Sequence, residues 1–134
     1  MINRRLFLKM LGLAPFAALS GKVQAARAEE RTVDLVEFYV AGFQYHEGMK
    51  QKVSASLSAG TRLLLAREPG NRYDDKAIAL RLPSGAMIGY LPRDLNTVPA
   101  ALLDQKVSLQ AVITAVQPAA PTWERVRVVL QQVV

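Results

Sequence analysis

Two loop-like stretches carry most of the residues able to do chemistry. Gly42 to Gly48 presents Phe43, Gln44, Tyr45 and His46, and Glu68 to Asp75 reads Glu-Pro-Gly-Asn-Arg-Tyr-Asp-Asp. Flat aromatic faces such as those of Tyr45 and Tyr73 can stack on unpaired nucleobases, at roughly 1–3 kcal/mol per base and with little regard to sequence. A neighbouring carboxylate, Asp74, accepts hydrogen bonds and repels anions when ionised. Ordinary structural roles compete for the same side chains. The tyrosines could anchor their loops on the barrel, and Asn71 and Asp74 could cap turns through nearby backbone. Tyr90 falls in a strand, where core or half-core packing is the ordinary role. His46 reads as an exposed loop residue, Arg125 and Arg127 as a solvated strand face, and Trp123 equally as a core plug or a binding aromatic.

Other chemistry finds little support. The chain has no cysteine and a single histidine, so a thiolate nucleophile, a disulfide or a His/Cys zinc site has no residues to build on. The sole adjacent acidic pair beside the aromatics is Asp74-Asp75, and neighbours in an extended chain point apart. Metal-dependent hydrolysis usually needs clustered carboxylates. No enzyme activity, cofactor or metal is expected.

The formal charge of +6 over 134 residues is unevenly distributed. Arg4, Arg5, Lys9, Lys22 and Arg27 lie in the first 28 residues, which hold no acid, whereas from Glu29 onward 12 Lys and Arg face 11 Asp and Glu. The high isoelectric point therefore describes a leader more than a domain. That leader has a basic start (Asn3-Arg4-Arg5-Leu6-Phe7-Leu8-Lys9), an apolar stretch Met10 to Leu19, and small residues ending at Ala26-Arg27-Ala28. The pattern fits an export signal with an A-x-A cleavage site, and Val23-Gln24-Ala25 is a second candidate site. Its start resembles the twin-arginine motif, a route that carries folded proteins. The apolar stretch is shorter than the roughly 20 residues a spanning helix needs. Residues 1–28 are thus expected to be a cleaved export signal and 29–134 one domain. A periplasmic or otherwise exported location follows, with no integral membrane span after cleavage.

The elements that must position the two loops read mainly as strands. Thr32 to Gly42 is rich in Val, Phe and Tyr, with apolar residues on both faces, and is expected to be buried on both sides for part of its length. Glu47 to Leu57 has a weak helical period, stopped by Ser58-Ala59-Gly60. Thr61 to Arg67 is a second strand. Ala77 to Leu82 and Ala86 to Leu91 form a hairpin around Pro83-Ser84-Gly85. Pro92 suits the first turn of a helix with Asp94 at its positive end, running to about Asp104 and shortened or bent by Pro99. Lys106 to Gln117 alternates, with Val107, Leu109, Ala111, Ile113 and Ala115 on one face. Pro118 to Pro121 is a linker turn. Trp123 to Val133 alternates again, with Val126, Val128 and Leu130 opposite Arg125, Arg127 and Gln131. About six short strands and two short helices suggest a small barrel.

The residues from Val40 to Asn96 resemble a HIRAN domain, a module of some SWI/SNF-type DNA-repair helicases that also occurs as a stand-alone or fused bacterial domain. The resemblance rests on Val40-Ala41-Gly42-Phe43-Gln44-Tyr45-His46-Glu47-Gly48, on Leu64 to Ile78 and on Gly85 to Pro92. Its most specific part is the carboxylate and proline followed by Asn71, Tyr73-Asp74, Ala77-Ile78 and Ile88-Gly89-Tyr90-Leu91. It implies an OB-like β-barrel that binds DNA, the helicase members gripping a single-stranded 3′ end. Tyr45 and Tyr73 would then be base-stacking aromatics and Asp74 would meet the terminal 3′-hydroxyl. Gln44 and Tyr90 stand where the helicase members use Arg and His, and Lys76 replaces the usual Asn.

The candidate binding set is therefore Gln44, Tyr45, Asn71, Tyr73, Asp74, Lys76 and Tyr90, with a single-stranded DNA end as the expected partner. Some of Arg62, Arg67, Arg72, Lys76, Arg81 and Arg93 would track phosphates, partly offset by Glu68, Asp74 and Asp75, so salt sensitivity should be modest. The competing expectation is a protein- or envelope-binding adaptor that keeps the barrel without the DNA. The near-neutral domain and the substituted Gln44, Lys76 and Tyr90 motivate it.

Overall fold

Strand-forming runs and the breaks between them set the architecture. The computed structural model describes residues 30–134; the expected export signal lies outside them. Six strands are formed: β1 (Thr32–Tyr39), β2 (Arg62–Glu68), β3 (Ala77–Arg81), β4 (Met87–Tyr90), β5 (Leu109–Val116) and β6 (Val126–Val133). All pairings are antiparallel, in the order β1-β6-β5-β2-β3-β4. Just past β1, Ala41 exchanges two backbone hydrogen bonds of 2.9 Å with Tyr90 at the end of β4. That bridge joins the two ends of the strand order and gives the mainly β barrel that the sequence suggested. Two short α-helices accompany it, α1 (Gln51–Ser54) and α2 (Thr97–Asp104). Among the described residues no helix is long and apolar enough to cross a membrane.

The alternation in the sequence becomes the core. Val126, Val128 and Leu130 of β6 point inward with Ala111 and Ile113 of β5, and Leu63, Ile78, Leu80 and Ile88 complete the interior. Each of these Val, Leu and Ile side chains contributes on the order of 1.5–3 kcal/mol when fully buried. Arg127 faces outward and pairs with Glu37 at 2.7 Å. The expected hairpin turn forms at Pro83-Ser84-Gly85, where Gly85 takes a φ of 98° and donates its N–H to the Leu82 carbonyl at 2.8 Å.

Four details differ from expectation. β1 is not buried on both faces: Phe38 and Val40 are covered, whereas Val33 and Leu35 are exposed. Its pairing with β6 shifts between Asp34 and Val36, which re-aims the first half of the strand. Pro92 does not open the helix. It precedes a 3-10 turn at Arg93–Leu95, and α2 starts at Thr97. Pro99 accordingly sits in the first turn of α2, where its missing N–H costs nothing, and the helix runs on to Asp104. Trp123 belongs to a 3-10 turn, Thr122–Glu124, rather than to β6, and is 65% exposed, so it plugs no core.

Candidate nucleic-acid interface

The second loop is held by its own polar side chains. The Asn71 side-chain oxygen accepts the backbone N–H groups of Tyr73 and Asp74 at 2.9 and 3.1 Å, and its amide donates to Glu68 Oε1 at 3.0 Å. Asp74 Oδ1 accepts the N–H of Lys76 at 3.0 Å. Arg67 donates to the carbonyls of Asp75 and Ala77 at 3.0 and 3.2 Å while gripping both oxygens of Asp104 at 3.0 and 3.1 Å. Asn and Asp thus cap the turn, as their types favour. The Tyr73 side chain is left outside this web, the residue 78% exposed, with the Arg72 guanidinium 5.5 Å from its ring centre.

The first loop is anchored by one aromatic to present another. Phe43 is buried at 1% exposure and packs so closely on Gly48 that a Cβ there would lie 2.3 Å from its ring. The 3-10 turn Phe43–Tyr45 follows Gly42, whose φ of 71° is left-handed. Tyr45, at the end of this turn, is 79% exposed. Neither tyrosine anchors its loop. Both rings are left in water and line one cleft.

Tyr45 and Tyr73 line a cleft of about 710 Å³ together with Asn71, Asp74, Tyr90 and His46. Tyr90 is half-buried, its hydroxyl donates to Glu68 Oε1 at 2.8 Å, and its ring meets His46 edge-on at 5.6 Å. Burial and then the Glu68 carboxylate hold its phenol above the usual range. A second, polar cleft of about 440 Å³ adjoins the first, sharing Asn71, Arg72, Tyr73, Asp74 and Arg93 and adding Lys76. Lys76 Nζ lies 3.7 Å from Asp75, an exposed pairing. Asp74 is held below the usual carboxylate range, chiefly by the Lys76 N–H, then by the Asn96 amide, with the charges of Arg93 and Lys76 adding to them. The cleft therefore offers two aromatic faces, one ionised carboxylate and flanking guanidinium groups.

Of the seven candidates, Tyr45, Asn71, Tyr73, Asp74 and Tyr90 share the larger cleft and Lys76 lines the polar one. Gln44 is exposed and lines neither. His46 joins the cleft wall although it read as an ordinary loop residue. Its place directly after Tyr45 in a turn was the available signal. Asn96 also reaches the site, and nothing in its local sequence marks it.

The fold and cleft define a small β-barrel domain with a ligand-sized groove lined by two exposed aromatics. The chain belongs to the HIRAN domain family, whose model matches residues 33–131. A crystal structure of a Lactobacillus plantarum protein is similar at a TM-score of 0.67 and 28% identity, covering 78% of this chain and 98% of that one. The HIRAN domain of human HLTF shares the fold at a TM-score of 0.60 and 20% identity, over 75% of this chain and 78% of its own. The HLTF domain in its DNA-bound conformation is similar at 0.50 and 19%, over 82% and 81%. Rabbit helicase-like transcription factor is 30% identical over 70 residues, which is 52% of this chain and 6% of that protein, so the chain spans a small part of that relative's length.

Proposed function

We propose that this chain is a nucleic-acid-binding module that takes the end of a single DNA strand between Tyr45 and Tyr73, in an exported protein. The observation carrying this reading is the pair of tyrosines, 79% and 78% exposed, that line one cleft. Bases stack on them, Asp74 accepts from the terminal sugar hydroxyl, and Arg72 and Arg93 meet the phosphates that follow. Membership of the HIRAN family and the DNA-bound conformation of the HLTF domain support the nucleic-acid partner. The leader pattern of residues 1–28 supports export.

The test is a fluorescence-anisotropy titration at low salt with single-stranded oligonucleotides bearing free or phosphorylated 3′ ends. Binding is expected, with loss of about 10- to 100-fold in Tyr73→Ala, the size of one lost stacking contact. Absence of binding, or a Tyr73→Ala variant that binds as well as the parent, overturns the reading. Binding to a periplasmic protein under those conditions would favour the adaptor alternative. Two observations give that alternative weight: Gln44 lies off the clefts, and the Tyr90 hydroxyl is engaged by Glu68. The mass of the mature protein tests the leader.

A further inference from the structure

We propose that Asn96 is a positioning residue that orients the Asp74 carboxylate, and so sets any preference of the cleft for a strand ending in a free hydroxyl. The inference rests on the single-strand-end reading and concerns a residue outside both loops.

Among the described residues Asn96 alone of the polar and charged types is buried, at 2% exposure. It occupies the N-cap of α2, where an asparagine ordinarily accepts an N–H of the first turn with its side chain. Here no such bond forms. The backbone carbonyl still receives the N–H of Ala100 at 2.8 Å, but the side-chain amide turns away and donates to Asp74 Oδ2 at 2.8 Å. An ionised carboxylate accepts only, so the Asn96 amide nitrogen must face it. Oδ1 meanwhile accepts the Lys76 N–H. Two donors on different elements fix the carboxylate group, and each oxygen keeps a lone pair for a ligand. The loop has its own ties through Asn71, Glu68 and Arg67, so its shape does not depend on Asn96. A buried amide is costly without a partner; an apolar side chain would serve the helix and core alone as well. Orientation of Asp74 explains why a polar one stands there. The charged groups facing Asp74 are Lys76 and Arg93, with Arg67 and Asp75 close behind.

The test compares the full chain with Asn96→Ala, and with Asn96→Leu, an apolar side chain of similar size, in case the first does not fold. Each is titrated with one oligonucleotide ending in a 3′-hydroxyl and with its 2′,3′-dideoxy-terminated counterpart. The parent is expected to favour the hydroxyl end by roughly tenfold, as for one charge-assisted hydrogen bond. In both variants that ratio should fall close to one, because the hydroxyl-ended strand loses about tenfold in affinity and the dideoxy-ended strand far less. NMR titration of the ligand-free protein should show the Asp74 carboxyl protonating at higher pH in Asn96→Ala. A ratio that survives in the variants, or equal weakening of both ligands, overturns the role of Asn96. So does an unmoved Asp74 titration. A parent that discriminates neither end and binds no strand overturns instead the reading beneath it.

Discussion

The hydroxyl of Tyr90 donates to Glu68 Oε1 at 2.8 Å, joining the end of β4 to the end of β2. The same oxygen receives the amide of Asn71 at 3.0 Å, so one carboxylate ties two strands and the Tyr73 loop together. Glu68→Ala should therefore cost about 1–3 kcal/mol of stability, since two partly buried donors lose their acceptor. Denaturant unfolding measures it. Glu68→Gln keeps an acceptor and should cost less. Removing the charge should also lower the Tyr90 phenol toward its ordinary range, though not fully, because burial is the larger cause. The difference in phenolate absorbance between this variant and its Tyr90→Phe partner reads that shift. No fall on loss of the charge would contradict the contact.

Acid sensitivity should come from two carboxylates. Asp74 is held low chiefly by the Lys76 N–H, then by Asn96, and Asp104 chiefly by its hydrogen bond to Arg67. A folded-state value below the unfolded one contributes stability that is complete above the unfolded value, about 3.9 for Asp. It is lost as pH falls through the folded value. Stability should thus be insensitive to these groups near neutrality and decline below about pH 4. Asp104→Asn should show a shallower decline in thermal unfolding followed against pH. An unchanged acid slope would mean that the Arg67–Asp104 bridge is not populated in solution.

Much of this architecture was legible because it is local. Val126, Val128 and Leu130 alternate with Arg127 and Gln131, and β6 buries the three apolar residues and exposes Arg127, although Val129 is buried as well and Gln131 is half-buried. The density of Pro, Gly, Asn and Asp between Glu68 and Asp75 marked the capped loop. What escaped was non-local or decided by packing. No periodicity announces the Ala41–Tyr90 bridge or the meeting of Asn96 with Asp74 across 22 positions. Pro92 carried a helix-start signal, yet the chain takes a 3-10 turn first and places Asn96 at the cap. Trp123 fitted an alternating pattern that begins only at Val126. For the site, residue types pointed to Tyr45, Tyr73 and Asp74, but the direction of Gln44 depends on a short turn whose geometry its sequence does not dictate.

Lys106 offers a stabilising change. Its N–H bonds to the carbonyl of Leu103 and that of Val107 to Leu102, each at 3.0 Å, which is the double closure of a Schellman motif at the end of α2. The geometry demands a left-handed residue, and Lys106 complies with a φ of 67°, alone among the described non-glycine residues. A side chain there costs roughly 1 kcal/mol or more. Lys106→Gly should relieve that strain, offset in part by the freer unfolded chain, for a net gain of about 0.5–1 kcal/mol. A lower thermal midpoint would count against it.

Salt should weaken strand binding only moderately. Arg72 and Arg93 are the cations lining the aromatic cleft, and Asp74 opposes them. With about two phosphates neutralised, the affinity should fall with a log–log slope near −1.4. Arg93→Ala should reduce the magnitude of that slope by about 0.7 and weaken all sequences alike. Slopes several times steeper would mean that the strand tracks cations elsewhere on the barrel.

Gly89 tests whether closure of the barrel supports the cleft. Its φ is 149°, and a Cβ at this position would lie 2.4 Å from Val40 Cγ1 and 2.5 Å from the Ala41 carbonyl oxygen. The first contact is a core side chain with little freedom, and the second is the acceptor in the bridge to Tyr90. An alanine can fit only if the backbone retreats, which breaks the bridge. Gly85 has a φ of 98°, and an added methyl there would meet nothing within 4 Å. It carries the conformational cost alone and is the control. Gly85→Ala should therefore cost about 1–2 kcal/mol. Gly89→Ala should cost about 3 kcal/mol or more, because strain and overpacking combine. Ala41 leads directly into the turn that presents Tyr45, and Tyr90 lines the groove. Strand affinity at a temperature where both variants remain folded should consequently fall in Gly89→Ala and hold in Gly85→Ala. Equal effects of the two substitutions, on stability and on binding, would show that the bridge is incidental to both.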